Sequence, residues 1–556
     1  MGLTFDRRTL LAGSAAAAAG MAGASALGWE GIAGAASTNG PGLNGSTTKK
    51  AKKGGSLVFG VDAEESGFDP TQARFDEVGV MYARTVFDPL TIVTAKGGWA
   101  PYLAESVVPN ATYTSWTITL RSGVTFHDGT PCNGAALLTN LLAQKASLLT
   151  GIVVGPILAA TNPIVQSGPL ACTLNFKTPW APFPFYLAGG IGGQIAYVVA
   201  PSMLANKNGT SHPVGTGPFV FKEWVPNSHF TATANPNYWR PGLPYLDQIT
   251  FKPIPNEQAR AEALQSGTID LMITDTPQII TQFRGNKKFA YVDDSVHVAG
   301  EPDMNCVLLN CDKAPFSDPN LRRAAALAIN RNQYAKVIDD GVNQVSNGLF
   351  VPGSPYYSKT AYPTYNPSEA TKLVKAAVKA GGSQAAAFKF GSTTGPASVR
   401  SQQYVQQALN QVGFKVTNTV VEQNDLINDA LAGTFQALNW RQFGAVDPDL
   451  NYIFWSSTTS SSGSLSINMA RNSDPKVEFA LQLGRASTDP AVRAKAYKAV
   501  NQRLAIDLPY LWQDRATWAV VSAPKVQNWN NPTTPTGAPA FGLIGGSIWP
   551  TQIWIS

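Results

Sequence analysis

The chain has 556 residues, of which only 14% are charged, and Gly and Pro together supply 89. That length gives two to four domains or one large interleaved body, and the composition is globular and turn-rich, not fibrous. The formal net charge is +6, but Asp6 and Glu30 balance Arg7 and Arg8, and Lys49, Lys50, Lys52 and Lys53 account for four of the six. A body near +2 offers no basis for nucleic-acid binding.

Residues 1–36 are set aside as a leader. Asp6-Arg7-Arg8-Thr9-Leu10-Leu11 precedes a weakly apolar run, with Ala24-Ser25-Ala26 and Ala33-Gly34-Ala35 as small-residue cleavage candidates. This is similar to a twin-arginine export signal, with Asp6 and Leu10 departing from the usual residues. No cysteine lies near the candidates, so an N-terminal lipid anchor is not expected, and the chain is expected in the periplasm, cell envelope or medium. Residues 37–54 read as a polar linker.

Gly55 to Val61 is a short apolar strand. Its loop, 62–70, follows the carboxyl end, where open α/β sheets place ligands, which makes Glu64, Glu65 and Phe68 candidates to line a cleft. A solvated acidic loop is the competing reading. Trp116 to Arg121 alternates like an antiparallel strand. Phe126-His-Asp-Gly-Thr130 is a turn, and His127 beside Asp128 has no evident nucleophile, so it reads as structural. The glycines of 189–193 lack the Lys-Ser/Thr end of a phosphate loop.

Pro213-Val-Gly-Thr-Gly-Pro-Phe219 is a tight bend feeding a strand to Trp224. Asn256 caps a helix that stops at Gly267 before a strand at 269–273, a strand–helix–strand signal. Beyond 300, helix and strand alternate. Met304 to Asn310 is a strand carrying Asn305. Asp318-Pro319 and Asn366-Pro367 open helices, Gly413 closes another, and strands follow at 414–421 and 435–441. Asp489-Pro490 opens a further helix, and 516–521 returns as a strand. This alternation predicts α/β architecture with a predominantly parallel sheet. The end of the strand at 441 is the second candidate ligand region: Trp440 and Arg441, then Asp447, Asp449, Asn451 and Trp455.

Cys132, Cys172, Cys306 and Cys311 fit an oxidising compartment. Cys306 and Cys311 sit at an odd separation and are not expected to pair, whereas Cys132 with Cys172 is open. The four histidines are isolated and no metal-site spacing exists, so neither metal nor cofactor is expected.

Three segments in order, Pro213 to Phe219, Asn235-Pro-Asn-Tyr-Trp239 and Ala263-Leu-Gln-Ser-Gly-Thr-Ile-Asp270, resemble the family 5 (peptide/nickel type) extracytoplasmic substrate-binding proteins of ABC importers. Phe126 to Pro131 and the helix after Pro315-Phe316 resemble further family segments. The resemblance implies a two-lobe periplasmic-binding-protein-like fold (type II, cluster C) with an inserted α+β subdomain. Lobe I would comprise 55–82, 212–297 and 518–556, the insert 83–211, and lobe II 298–517, with a hinge near 297 and 518. It further implies a monomer that binds an oligopeptide or similar solute and hands it to importer permeases, without catalysis. Peptide-binding relatives carry an amine-fixing Asp three residues before the Asp/Glu-Pro pair, and that position here is Gly444. The alternatives are a compensating Asp447, Asp449 or Glu65, or a different solute such as a glycan, opine, chelate or modified peptide. A secreted hydrolase is the alternative from another class, although no Gly-x-Ser-x-Gly or His-Glu-x-x-His motif is present.

Overall fold

The computed structural model describes residues 50–556 except 74, 149, 191–192, 207, 295–299 and 460–464. Two large mixed sheets organise it. The first has seven strands, in spatial order Ala290–Asp293, Ala519–Ser522, Leu271–Thr274, Ser56–Val61, Gln248–Pro253, His229–Ala234 and Phe219–Val225. Leu57, Phe59 and Val61 alternate into the core. The strand they belong to runs parallel to both Gln248–Pro253 and Leu271–Thr274. The helix Glu257–Gln265 joins those two flanking strands. Its Asn256 cap accepts from the Ala259 amide at 2.8 Å, and Gly267 takes the left-handed conformation (φ 77°) just beyond it. The strand–helix–strand unit read between Asn256 and Ile273 is therefore a parallel crossover over Ser56–Val61.

The second sheet has six strands, in the order Gln344–Val345, Tyr510–Arg515, Met304–Leu309, Ala437–Gln442, Ala387–Thr393 and Lys415–Val421. Only Ala387–Thr393 with its two neighbours is parallel; Met304–Leu309 runs antiparallel to both of its own. The expected predominantly parallel sheet is thus mixed. Met304–Leu309, by which the chain enters this sheet, and Tyr510–Arg515, by which it leaves, lie side by side and antiparallel. Helix caps fall where the sequence places them, with Asp318 accepting from the Asn320 amide and Asn366 from that of Glu369.

A third, antiparallel sheet (Ala104–Pro109, Ser115–Leu120, Ala171–Asn175, Ile164–Gln166) lies in the chain between Ser56–Val61 and Phe219–Val225. It includes the strand expected at 116–121. All four cysteines are free, and burial pushes the Cys132 thiol up to about 12 and that of Cys172 up to about 11. The Cys132–Cys172 bridge left open by the sequence is absent.

The chain passes between the two large sheets after Asp293 and again after Arg515. The expected hinge position 297 lies outside the described residues. At the second passage the Trp518 amide donates to Asp294 Oδ1 at 2.9 Å, and the Trp518 indole donates to Asp303 Oδ2 at 2.8 Å. Burial raises the Asp294 carboxyl to about 8, with Asp303 and Asp293 adding repulsion, and burial raises Glu301 to about 7. Both groups bind their protons more tightly in the folded protein than in the unfolded chain, where they titrate near about 4. Their contribution to stability is complete below that value and is lost as pH climbs through 7 to 8. Asp294→Asn keeps the acceptor but has no charge to bury. Its stability relative to wild type should therefore rise steadily between about pH 4 and pH 8 in urea unfolding; a pH-independent difference would remove Asp294 from this account.

Candidate functional site

The carboxyl ends of Ser56–Val61 and Leu271–Thr274 in the first sheet face the end of Ala437–Gln442 in the second. Arg441 crosses between them. Its guanidinium pairs with Asp275, lies 3.6 Å from Glu77 and stacks over Trp518 at 4.7 Å. Asp275, Glu77, Asp303 and Asp62 together hold it firmly protonated despite its burial. A second polar contact joins the two lobes where Gln423 Nε2, on the helix Gln423–Ala432, donates to Asp76 Oδ2 at 3.0 Å. Asp76 also caps the helix Glu77–Val86, accepting from the Val78 and Gly79 amides at 3.0 Å each. The N-terminal end of this helix therefore lies at the junction of the lobes.

Around it gather carboxylates. Glu65 is 5% exposed and its Oε1 has no hydrogen-bond partner. Burial and the neighbouring Asp76 push its carboxyl well above the usual range. Glu77 is 8% exposed and is likewise pushed well up by burial, Arg441 opposing. On the second sheet Asn305 Nδ2 donates to Asp514 Oδ1 at 2.8 Å. Burial raises Asp514 to about 7, and burial together with Asp514 raises Asp339 to about 9. Trp440 alternates to the face opposite Arg441, pairs in register with Cys306 and is half-buried.

Other expected ligand residues are committed elsewhere. Phe68 is core: its ring packs on Tyr82, Trp224 and Phe230. Asp447 holds Arg493 through both carboxylate oxygens at 2.6 Å. Asp449, fully buried, accepts from Arg485 at 2.9 and 3.1 Å and from the Trp180 indole at 2.6 Å. Asn451 joins Gln442 to the Phe443 carbonyl, and Trp455 is buried. Gly444 has no room for a side chain, since a Cβ there would stand 2.1 Å from the Glu301 carbonyl oxygen. Asp447 and Asp449 therefore do not replace the missing Asp, because buried arginines already claim their charge. Sequence reasoning missed Asp62, Glu77, Asp275 and Gln423. The helix start Asp76-Glu77 was the available signal for one of them, Glu77.

A family model of bacterial extracellular solute-binding proteins, family 5 (middle part), matches residues 98–464, more than half of the chain. The chain belongs to this family. As a family 5 protein it is similar to the glutathione-binding protein GsiB of Pectobacterium atrosepticum, at 26% identity over 481 residues, 84% of this chain and 89% of the relative. GsiB of Escherichia coli K12 is also 26% identical, covering 82% and 88% of the two chains. Among solved structures, the fold is shared with the periplasmic binding protein DppA of Helicobacter pylori bound to the peptide STSA (TM-score 0.78, 22% identity, 91% of this chain and 98% of that one). It is also shared with AgaA of A. tumefaciens R10 bound to agropinic acid (TM-score 0.78, 21% identity, 90% and 99%).

Two of the segments that resemble the family fasten a buried carboxylate, Asp88. Asp88, buried, accepts from Thr216 Oγ1, Tyr238 OH and Trp239 Nε1 at 2.8 to 2.9 Å. Burial still raises it to about 6 against those three bonds. His127 accepts from the Gly215 amide through Nδ1 and donates from Nε2 to the Gly217 carbonyl at 3.0 Å, and burial lowers its pKa. It is a neutral strut for the bend, as its sequence context indicated.

Proposed function

We propose that the protein is an exported monomer that captures a peptide or peptide-like solute between its two lobes, closes on it and presents it to an ABC importer, without transforming it. The observation that carries this reading is Arg441, which reaches from one lobe to Asp275 and Glu77 of the other. Strand-end side chains that meet across the junction in this way suit a cleft that closes on its solute. The strand memberships support lobe I as 55–82, 212–297 and 518–556, the insert as 83–211 and lobe II as 298–517. Similarity to glutathione-binding and peptide-bound proteins supports the solute class, and the leader 1–36 with its Arg7-Arg8 pair supports twin-arginine export.

Similarity to an opine-bound protein, together with the closed space at Gly444, supports a second reading, a non-peptide solute. A thermal-shift screen of glutathione, tripeptides and opines, run beside peptidase, esterase and glycosidase substrates, decides between them. Turnover of any substrate would sink the binding reading. If Trp440 stacks on the solute, Trp440→Ala should weaken binding by about 1–3 kcal/mol. Unchanged affinity by calorimetry in the folded variant would return Trp440 to the core.

A further inference from the structure

Three side chains stand in one row across the second sheet. Arg441 on Ala437–Gln442 is the register partner of Asn305 on Met304–Leu309, and Asn305 is the partner of Asp514 on Tyr510–Arg515. Register partners share a face, so Asp514 lies on the face that carries Arg441, two strand spacings or about 10 Å away. Asn305 between them donates to Asp514 Oδ1 at 2.8 Å. The charge of Arg441 already favours the ionised Asp514 against burial.

Asp514 has an acidic companion. Asp339, just beyond the helix Arg331–Val337, hydrogen-bonds to it, carboxyl to carboxyl, and Asn343 bonds to both. Neither Asp339 Oδ2 nor Asp514 Oδ2 has a donor among the other groups around it, so a shared proton holds the two buried acids together. Tyr334, Asp340, Arg515 and Cys306 are the remaining ionisable groups whose charge bears on the pair or feels it. Asn343 Oδ1 also accepts from the Thr517 amide at 3.1 Å, which ties the pair to the second passage between the sheets.

The acids that hold Arg441 divide by lobe. Asp275, Glu77 and Asp62 belong with the first sheet and leave when the lobes part. Glu64 is spent on the Trp224 indole and the Asn227 amide. Asp303, at the entry to the second sheet, has both oxygens engaged, by the Trp518 indole and the Gly444 amide. Of the acids that feel Arg441, Asp514 is the one left on its own sheet.

We propose that Asp514 is a positioning residue for Arg441: as the lobes part, the guanidinium leaves Asp275 and Glu77, reaches across Asn305 to Asp514 and displaces to solvent the proton shared with Asp339. The proposal rests on the closing cleft described above. Opening then releases a proton and closing takes one up, so the closed form gains as pH falls and the open form gains as pH rises through about 7. Glu77 and Asp62, raised by burial at the closed junction and hydrated on opening, act in the same sense. Substitution at Asp514 separates its share from theirs.

The test is small-angle scattering of the solute-free protein from pH 5.5 to pH 8.5. The radius of gyration of the wild type should rise with pH. In Asp514→Asn, which keeps the acceptor for Asn305 but carries no charge, the open fraction at pH 8 should fall about threefold or more. Asp339→Asn disturbs the same pair but leaves Arg441 its acceptor, and should still open. In an Arg441→Gln background Asp514→Asn should add nothing. A flat wild-type profile, wild-type opening in Asp514→Asn, or loss of opening in Asp339→Asn as complete as in Asp514→Asn overturns the proposal. So does pH-driven opening of undiminished size in Arg441→Gln, a measurement that stands even where Asp514→Asn fails to fold. Each of these results leaves the solute-binding reading to the thermal-shift screen.

Discussion

Arg485→Met should lower the stability of the folded protein by about 3–5 kcal/mol, because it strands a fully buried carboxylate. Arg485 is 2% exposed, and its guanidinium meets Asp449 through two donors, stacks over Trp180 at 4.5 Å and covers Tyr452 at 3.4 Å. Asp449 also takes the Trp180 indole, and Tyr186 OH donates to the Asp449 carbonyl at 2.6 Å. This cluster joins the 83–211 segment to the lobe that contains the second sheet, and the Ala181 amide donating to the Arg485 carbonyl extends the join along the backbone. The double variant Arg485→Met/Asp449→Asn removes both charges and should lose less than Arg485→Met alone. Urea unfolding of the three proteins measures the order. Equal losses in the single and double variants would mean that the stranded charge is not the cause.

That cluster also marks where the sequence stops being legible. Asp449 was visible as an acidic residue after a strand end, the position at which α/β proteins hold ligands. Its partners are Trp180, 269 residues away, and Arg485 on a later helix, and local pattern carries no trace of such pairing. Elements whose signals are local fared better: the Asn256, Asp318 and Asn366 caps, the Gly267 stop and the alternating strand near Trp116 all stand where their residue chemistry puts them. Strand direction was misjudged for Met304–Leu309 because periodicity fixes a strand's faces but not its neighbours.

The site divides the same way. Arg441 was legible as a cation beside an aromatic at a strand end, and Glu65 as an acid after one. The apolar loop position Phe68 could equally enter the cleft or the core, and three neighbouring rings drew it inward. Asp275 and Asp62 each follow a strand of the first sheet, but the convergence of those strand ends on Arg441 comes from the parallel order of Leu271–Thr274, Ser56–Val61 and Gln248–Pro253.

Gly217→Ala should cost about 3 kcal/mol or more and abolish the recovery of folded protein at growth temperature. A Cβ at Gly217 would stand 2.4 Å from the Val86 carbonyl carbon and 2.6 Å from the Phe87 nitrogen. Those are backbone atoms, which cannot swing aside as a side chain can. Gly267→Ala is the contrasting case: nothing lies within 4 Å of its Cβ, so only its left-handed backbone (φ 77°) opposes the change, at about 1–2 kcal/mol. Thr216→Val, which removes the hydroxyl donated to Asp88, is the milder probe of the same bend, at about 1–3 kcal/mol. Thermal melts of the three should rank Gly217→Ala as the most damaging; a Gly217→Ala melt within about 1 kcal/mol of wild type would show that the chain yields there. The physical content of the ranking is that Gly215 and Gly217 admit the end of the helix Glu77–Val86 while Thr216, Tyr238 and Trp239 fasten Asp88 just beyond it. The segment that identifies the family thereby fixes the helix whose other end, at Asp76 and Glu77, meets the second lobe.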